Sequence, residues 1–241
     1  MNPDARSELA PSGTLRAGIN LANFLLVTGR TPNGDPEGVA PDMAAEIARR
    51  LDVPITYVPF ETPAKLADTA GDDVWDIGLI GAEPARAETI AFTAAYTEIE
   101  ATYLVPEGSA LREVEDVDHD GVRIAVARGS AYDLFLSRRL ERAELVRASG
   151  LDGSFDLFVG QKLDALAGLR PRLISDVERL PGARILEGRF TAVQQAVGTP
   201  RPRERGAAFL REFVEEAKAS GLVQRLIDRH RVRGLSVAAA S

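Results

Sequence analysis

Short apolar runs of strand length alternate with stretches of helical periodicity along this whole chain, and no other feature restricts its fold as much. Leu15–Ile19, Ile55–Phe60, Val74–Ile80, Ala101–Val105, Val122–Ala127, Leu145–Ala148, Leu163–Leu169, Arg184–Leu186 and Thr191–Val197 read as strands. A helix is predicted from Pro41, with Met43, Ala44, Ile47, Ala48 and Leu51 at helical spacing. Pro41 suits its first turn, and Asp42 suits the positive end of its dipole. Further helices are expected at Lys65–Ala70, Ala131–Leu140, Asp152–Gln161, Pro171–Leu180, Arg203–Ser220 and Leu222–His230. In the longest, Phe209, Leu210, Phe213, Val214 and Ala217 share a face, and Gly221 sits just past the end. Pro84–Thr89 has room for a helical turn or two. Residues 1–13 read as a loose lead-in, and residues from Gly234 on read as frayed. The alternation predicts an α/β protein with mostly parallel pairing.

Composition removes several function classes. The chain has 241 residues, enough for one large domain or two small lobes. Its 29 basic and 36 acidic residues give a formal charge of −7, a poor balance for general nucleic-acid binding. There is no cysteine, so disulfides, thiol nucleophiles and thiolate metal sites are excluded. The two histidines, His119 and His230, lie far apart in sequence, and no metal or other cofactor is expected. His119 falls in the acidic Glu115–Asp120 stretch, a solvated loop, so no Ser/His/Asp arrangement is visible. No run approaches the roughly 18 apolar residues of a membrane span. Met1–Gly13 lacks the basic start and apolar run of a secretory signal.

Four stretches then fall in a known order. They are Leu15-Arg16-Ala17-Gly18-Ile19-Asn20; Gly38-Val39-Ala40-Pro41-Asp42-Met43 with Ala45, Ile47, Ala48 and Leu51; Trp75-Asp76-Ile77-Gly78 with Pro84, Arg86, Ile90-Ala91-Phe92-Thr93 and Tyr96; and Val126 with Gly129-Ser130, followed much later by Lys218-Ala219-Ser220-Gly221. Together they resemble the family 3 solute-binding proteins of bacterial ABC transporters, the amino-acid-binding type, from about residue 13 to 230. The resemblance implies a type II periplasmic-binding-protein fold, two α/β lobes joined by two crossover strands. By that analogy the first lobe is residues 13–105 plus 196–233 and the second is 106–195. The crossings would lie near Tyr103–Val105 and Gln194–Ala196, and the lobes would close around a ligand in the cleft.

The same resemblance implies site residues. Arg86 matches the family arginine that clamps a ligand carboxylate through a planar fork of donors. Read alone, it is a surface arginine beside Glu83 or Glu88. Gly129 and Ser130 lie between a strand and a helix, where backbone N–H groups can face an anion and the serine can add a hydroxyl or simply cap the helix. Tyr132 and Arg128 flank that turn. Asn20, Asn23 and Phe24 follow the first strand, where the family supplies polar and aromatic wall residues; turn formation and core packing are the plain alternatives. Gln194 and Gln195 lie on the second crossover, and strand alternation lets one of them face the cleft.

Two departures bear on the ligand. Gly81 and Glu83 stand where the family often has hydroxyl residues, and Leu169, with Arg170 beside it, stands where an acidic residue often holds the ligand ammonium. Glu83 can replace that charge, can pair with Arg86 three residues on, or the ligand has a carboxylate and no α-ammonium. The expected function is non-catalytic capture of an amino acid or related small carboxylate for an ABC permease, by a monomer without nucleic-acid partners. A cyclohexadienyl-dehydratase-like enzyme on the same scaffold, with Glu83 as its acid, is the alternative. A ligand-sensing domain is another; the segments before residue 14 and after residue 233 are too short for an attached DNA-binding module, so it would need a separate partner. The resemblance implies a periplasmic location, and the lack of a signal segment implies a cytoplasmic one if this is the full precursor.

Overall fold

The computed structural model describes residues 3–241. In chain order its elements are α1 (Pro3–Leu9), β1 (Leu15–Asn20), β2 (Gly29–Arg30), β3 (Pro36–Glu37), α2 (Val39–Leu51), β4 (Ile55–Phe60), α3 (Pro63–Asp68), β5 (Ile77–Gly81), a 3-10 turn (Arg86–Glu88), β6 (Ile90–Val105), a second 3-10 turn (Val114–Val117), β7 (Arg123–Ala127), α4 (Ala131–Arg139), β8 (Glu144–Ala148), α5 (Gly150–Gly160), β9 (Ala165–Leu169), α6 (Arg170–Arg179), β10 (Arg184–Ile185), β11 (Thr191–Pro200), α7 (Glu204–Ala219), α8 (Leu222–Arg229) and β12 (Ser236–Val237). They form two compact units. The first runs to Glu98 and resumes at Gln194–Ser241; the second is Ile99–Val193.

In the first unit β1 lies parallel between β4 and β5, with Leu15 opposite Ile55 and Ala17 opposite Ile77. β11 returns antiparallel to β5, setting Gln195 opposite Gly81. α2 forms because Val39, Met43, Ala44, Ile47, Ala48 and Leu51 recur on one face, and that face is buried. It starts at Gly38, whose φ of 149° favours glycine and whose missing side chain matters more: a Cβ there would lie 2.3 Å from the Leu26 carbonyl oxygen. Thr62 caps α3 by accepting the Lys65 N–H, and Pro63 takes the first helical position. The core joins Leu15, Ile19, Met43, Ile47, Ile77, Leu79 and Tyr96 to Leu210, Phe213, Val214 and Leu226. A smaller cluster of Leu66, Trp75, Ile80 and Ile90 packs nearby in sequence, with the Trp75 indole donating to Thr69 Oγ1 at 3.1 Å.

In the second unit β7 lies parallel between β8 and β9, and β9 runs antiparallel to the later half of β6, with Ala101 opposite Leu169. Leu104, Ala125, Phe155, Phe158, Leu163, Leu166 and Leu173 form its core.

The structure departs from the sequence expectations in four places. Pairing is parallel only around β1 and β7; β6, β10, β11 and β12 pair antiparallel where partners are assigned. The strand expected at Ala101–Val105 begins at Ile90, because the small and polar residues Thr93, Ala94, Ala95 and Thr97 hide its alternation. That continuity moves the first crossing from Tyr103–Val105 to Glu98–Ile99: the later half of β6 belongs to the second unit through its bonds to β9 and β10. The return crossing falls at Val193–Gln194 rather than Gln194–Ala196. Finally, the lead-in from Pro3 on and the tail both carry an element, residues 1–2 of the expected lead-in lying outside the described residues. α1 buries Ala5 and Leu9, and Ser236 of β12 pairs with Glu98.

Candidate functional site

Parallel strands place their carboxyl ends on one edge, and connecting loops on that edge are where open α/β sheets bind ligands. In the first unit β1 ends at Asn20 and β5 at Gly81, with Ile19 opposite Leu79, so both ends reach the same edge. The two loops that leave this edge carry the expected first-unit residues.

After β1, the Asn20 side-chain oxygen accepts from the Ala22 N–H at 3.1 Å. The Asn23 oxygen accepts from Leu25 N at 3.2 Å and Leu26 N at 3.3 Å. Both asparagines therefore do form turns, and both are more than nine-tenths buried. Their side-chain amide nitrogens donate to nothing among the described residues. Phe24 is 39 % exposed, so it is not a core residue.

After β5, the loop carries Glu83 and then Arg86 at the start of the first 3-10 turn. Arg86 is only 5 % exposed, which corrects its reading as a surface residue. Its Nη1 donates to the Gly81 carbonyl at 2.6 Å. Burial draws the guanidinium down to about 10, against the charges of Glu83 and Asp68, and leaves it protonated at neutral pH. A buried, oriented cation of this kind is suited to a carboxylate.

In the second unit β7 ends at Ala127 and leads through Arg128, Gly129 and Ser130 into α4. Gly129 has φ of 69°, which glycine adopts without strain. Ser130 caps α4, its Oγ accepting from Asp133 N at 3.1 Å. The Gly129 N–H donates to Asp133 Oδ2 at 2.8 Å, and the Ser130 N–H donates to the Ala127 carbonyl at 3.2 Å. These two backbone donors, expected to face an external anion, are thus used internally. The Asp133 carboxylate also accepts from Arg147 Nε at 2.9 Å. Asp133 escaped the sequence reading, although its position three residues after a capping serine is the spacing of a capping box.

Tyr132 is 3 % exposed, and its hydroxyl meets no hydrogen-bond partner among the described residues. Burial pushes the phenol up to about 12; Ser130 lies close enough to oppose that, though not in hydrogen-bond geometry. Arg128 is exposed, and its backbone N–H donates to the Ala148 carbonyl at 2.9 Å. Leu169 is buried. Arg170 bonds Glu100 at 2.8 Å and also donates to the Gly188 carbonyl, so it is committed to its own unit. On the return crossing, Gln195 is buried and Gln194 Nε2 donates to Glu98 at 3.0 Å. Among the described residues no group of histidines and carboxylates could hold a metal ion, and no helix is long and apolar enough to cross a membrane.

The family model for bacterial extracellular solute-binding proteins, family 3, matches residues 21–232. The chain belongs to that family. No curated protein matches it by sequence. Among solved structures this family 3 protein is similar to a mutant of ArgBP from T. maritima, at 22 % identity, with 95 % of this chain and 100 % of that chain covered and a TM-score of 0.75. It is similar to AncCDT-1, an ancestral amino-acid-binding protein and precursor of cyclohexadienyl dehydratase, at 20 % identity, with coverage of 93 % and 98 % and a TM-score of 0.73. It is also similar to an amino acid ABC transporter substrate-binding protein from Streptococcus pneumoniae bound to L-arginine, at 16 % identity, with coverage of 97 % and 99 % and a TM-score of 0.73. At these identities the likeness shows the fold, the type II periplasmic-binding-protein fold, as the residues quoted from the sequence implied.

Proposed function

We propose that this solute-binding protein captures an amino acid or related small carboxylate without chemical change and delivers it to an ABC permease in the periplasm. The observation that carries the reading is Arg86: a protonated guanidinium, 5 % exposed, oriented by the Gly81 carbonyl at the carboxyl edge of its sheet. The ligand carboxylate meets this guanidinium, with Asn20 and Asn23 amides and the Phe24 ring as neighbours. Glu83, on the same loop, receives an ammonium or guanidinium group of the ligand. In the second unit, Ser130 supplies a hydroxyl, and Gly129 and Tyr132 shape its surroundings. A ligand that gains from both units favours the state in which both contacts form, and so shifts the population toward it.

A thermal-shift screen with amino acids, dicarboxylates, opines and polyamines tests this on wild type and Arg86→Lys, which keeps charge but loses the fork. The expected result is a carboxylate ligand that raises the melting temperature of wild type and binds Arg86→Lys roughly ten- to a hundredfold more weakly. A hit indifferent to Arg86→Lys would remove Arg86 from the site. A compound consumed rather than held would favour the dehydratase-like enzyme instead.

A further inference from the structure

Arg86 opens a single 3-10 turn, Arg86–Glu88. One such turn has poor hydrogen-bond geometry and little cooperativity of its own. Its orientation must come from whatever ties the loop down, and β11 and its exit supply ties at both ends. At the start, Ala82 N donates to the Gln194 carbonyl at 2.7 Å. At the end, Arg201 makes two bonds: its backbone N–H donates to the Thr89 carbonyl at 3.0 Å, and its Nε donates to the Ala87 carbonyl at 2.7 Å.

Arg201 is built for that task. It stands between Pro200 and Pro202, whose rings fix φ on each side of it. The Arg203 N–H closes the turn onto the Pro200 carbonyl at 3.1 Å. The Arg201 side chain therefore starts from a pre-set backbone and loses little freedom in reaching Ala87. We infer that Arg201 is the positioning residue for Arg86: by gripping Ala87 and Thr89 it fixes the turn from which the Arg86 guanidinium reaches a ligand carboxylate. This rests on the reading of Arg86 as the carboxylate clamp.

The test uses the full chain as wild type, Arg201→Ala and Arg201→Lys, with L-arginine and L-argininamide as probes, which differ only at the α-carboxyl group. Arg201→Ala should raise Kd for L-arginine about five- to tenfold and for L-argininamide less than twofold, and Arg201→Lys should recover part of the difference. A purely structural role would weaken both probes alike, and that result, or no change in either, overturns the inference. A second readout needs no ligand. The Arg86 Nε–Hε signal in a 15N NMR spectrum, assigned by its loss in Arg86→Lys, should move in Arg201→Ala and stay put in Arg205→Ala, whose side chain is exposed and pairs with Asp4. An unmoved Arg86 signal overturns the positioning role. If neither probe binds wild type, their use as ligands fails while the NMR result still decides the role of Arg201. Should Arg201→Ala not fold, Arg201→Gln and Arg201→Lys carry both comparisons.

Discussion

The Ser130 hydroxyl has two separate capacities, and they can be pulled apart by substitution. Its oxygen accepts the Asp133 N–H and caps α4. Its proton is not needed for that bond. Glycine is a tolerable N-cap, costing only a few tenths of a kcal/mol relative to serine, whereas alanine costs about 1 kcal/mol. Ser130→Gly should therefore leave the urea midpoint almost unchanged while raising the Kd of the ligand found in the thermal-shift screen several-fold. Ser130→Ala should shift both. If Ser130→Gly binds as wild type does, the serine is a cap and nothing more. Gly129 tolerates no comparable exchange, because a side chain at its positive φ is strained and its N–H is already held by the Asp133 carboxylate. That internal carboxylate also explains why the chemistry of this turn was only half legible in the sequence. The strand–Gly–Ser–helix order was visible, but nothing local said that a carboxylate from the following turn would occupy the Gly129 donor.

At the scale of elements, α1 is the clearest addition to what periodicity predicted. Seven residues cannot display a helical repeat, and an isolated helix of that length is unstable in water. Its stability comes from docking. Ala5 and Leu9 have no exposed surface, and Gly206 N donates to Glu8 Oε2 at 2.8 Å. α7 can approach because position 206 has no side chain: a Cβ there would lie 2.7 Å from Leu9 Cδ2. Leu9→Ala should then cost about 2–4 kcal/mol, read as a lower urea midpoint at unchanged slope. A loss under about half a kcal/mol would mean that the helix is marginal to the core. The contrast with α2 and α7 is instructive. Their buried faces span several turns, so their spacing announced them before any tertiary contact was known. β12 is two residues long and exists only through its bonds to β6, which are invisible locally. The same limit hid Arg201, whose contacts with Ala87 and Thr89 join positions remote in sequence. Arg86 was legible only because the order of surrounding motifs resembled a family; its burial was not.

For the molecule as a whole, the decisive fact is that each unit has a core of its own. Leu15, Met43, Ile77 and Phe213 belong to the core of the first unit, and Leu104, Phe158, Leu166 and Leu173 to that of the second. The chain passes between them twice, at Glu98–Ile99 and Val193–Gln194. Chains with separate cores need not unfold in one step. Without ligand, calorimetric unfolding should show an enthalpy larger than the van't Hoff value, the mark of two transitions. A ligand that gains from Arg86 and from Ser130 stabilises only the state in which both units are native. At a hundred times its Kd it adds about 2.7 kcal/mol, which for a chain of this size raises the melting temperature by about 5–10 °C. The two transitions should merge, and the enthalpy ratio should fall toward one. Arg86→Lys at the same ligand concentration should restore the separation. A ligand held by the first unit alone would behave differently: it would raise one transition, leave the other in place and widen the gap between them. The enthalpy ratio therefore distinguishes capture by both units from capture by one.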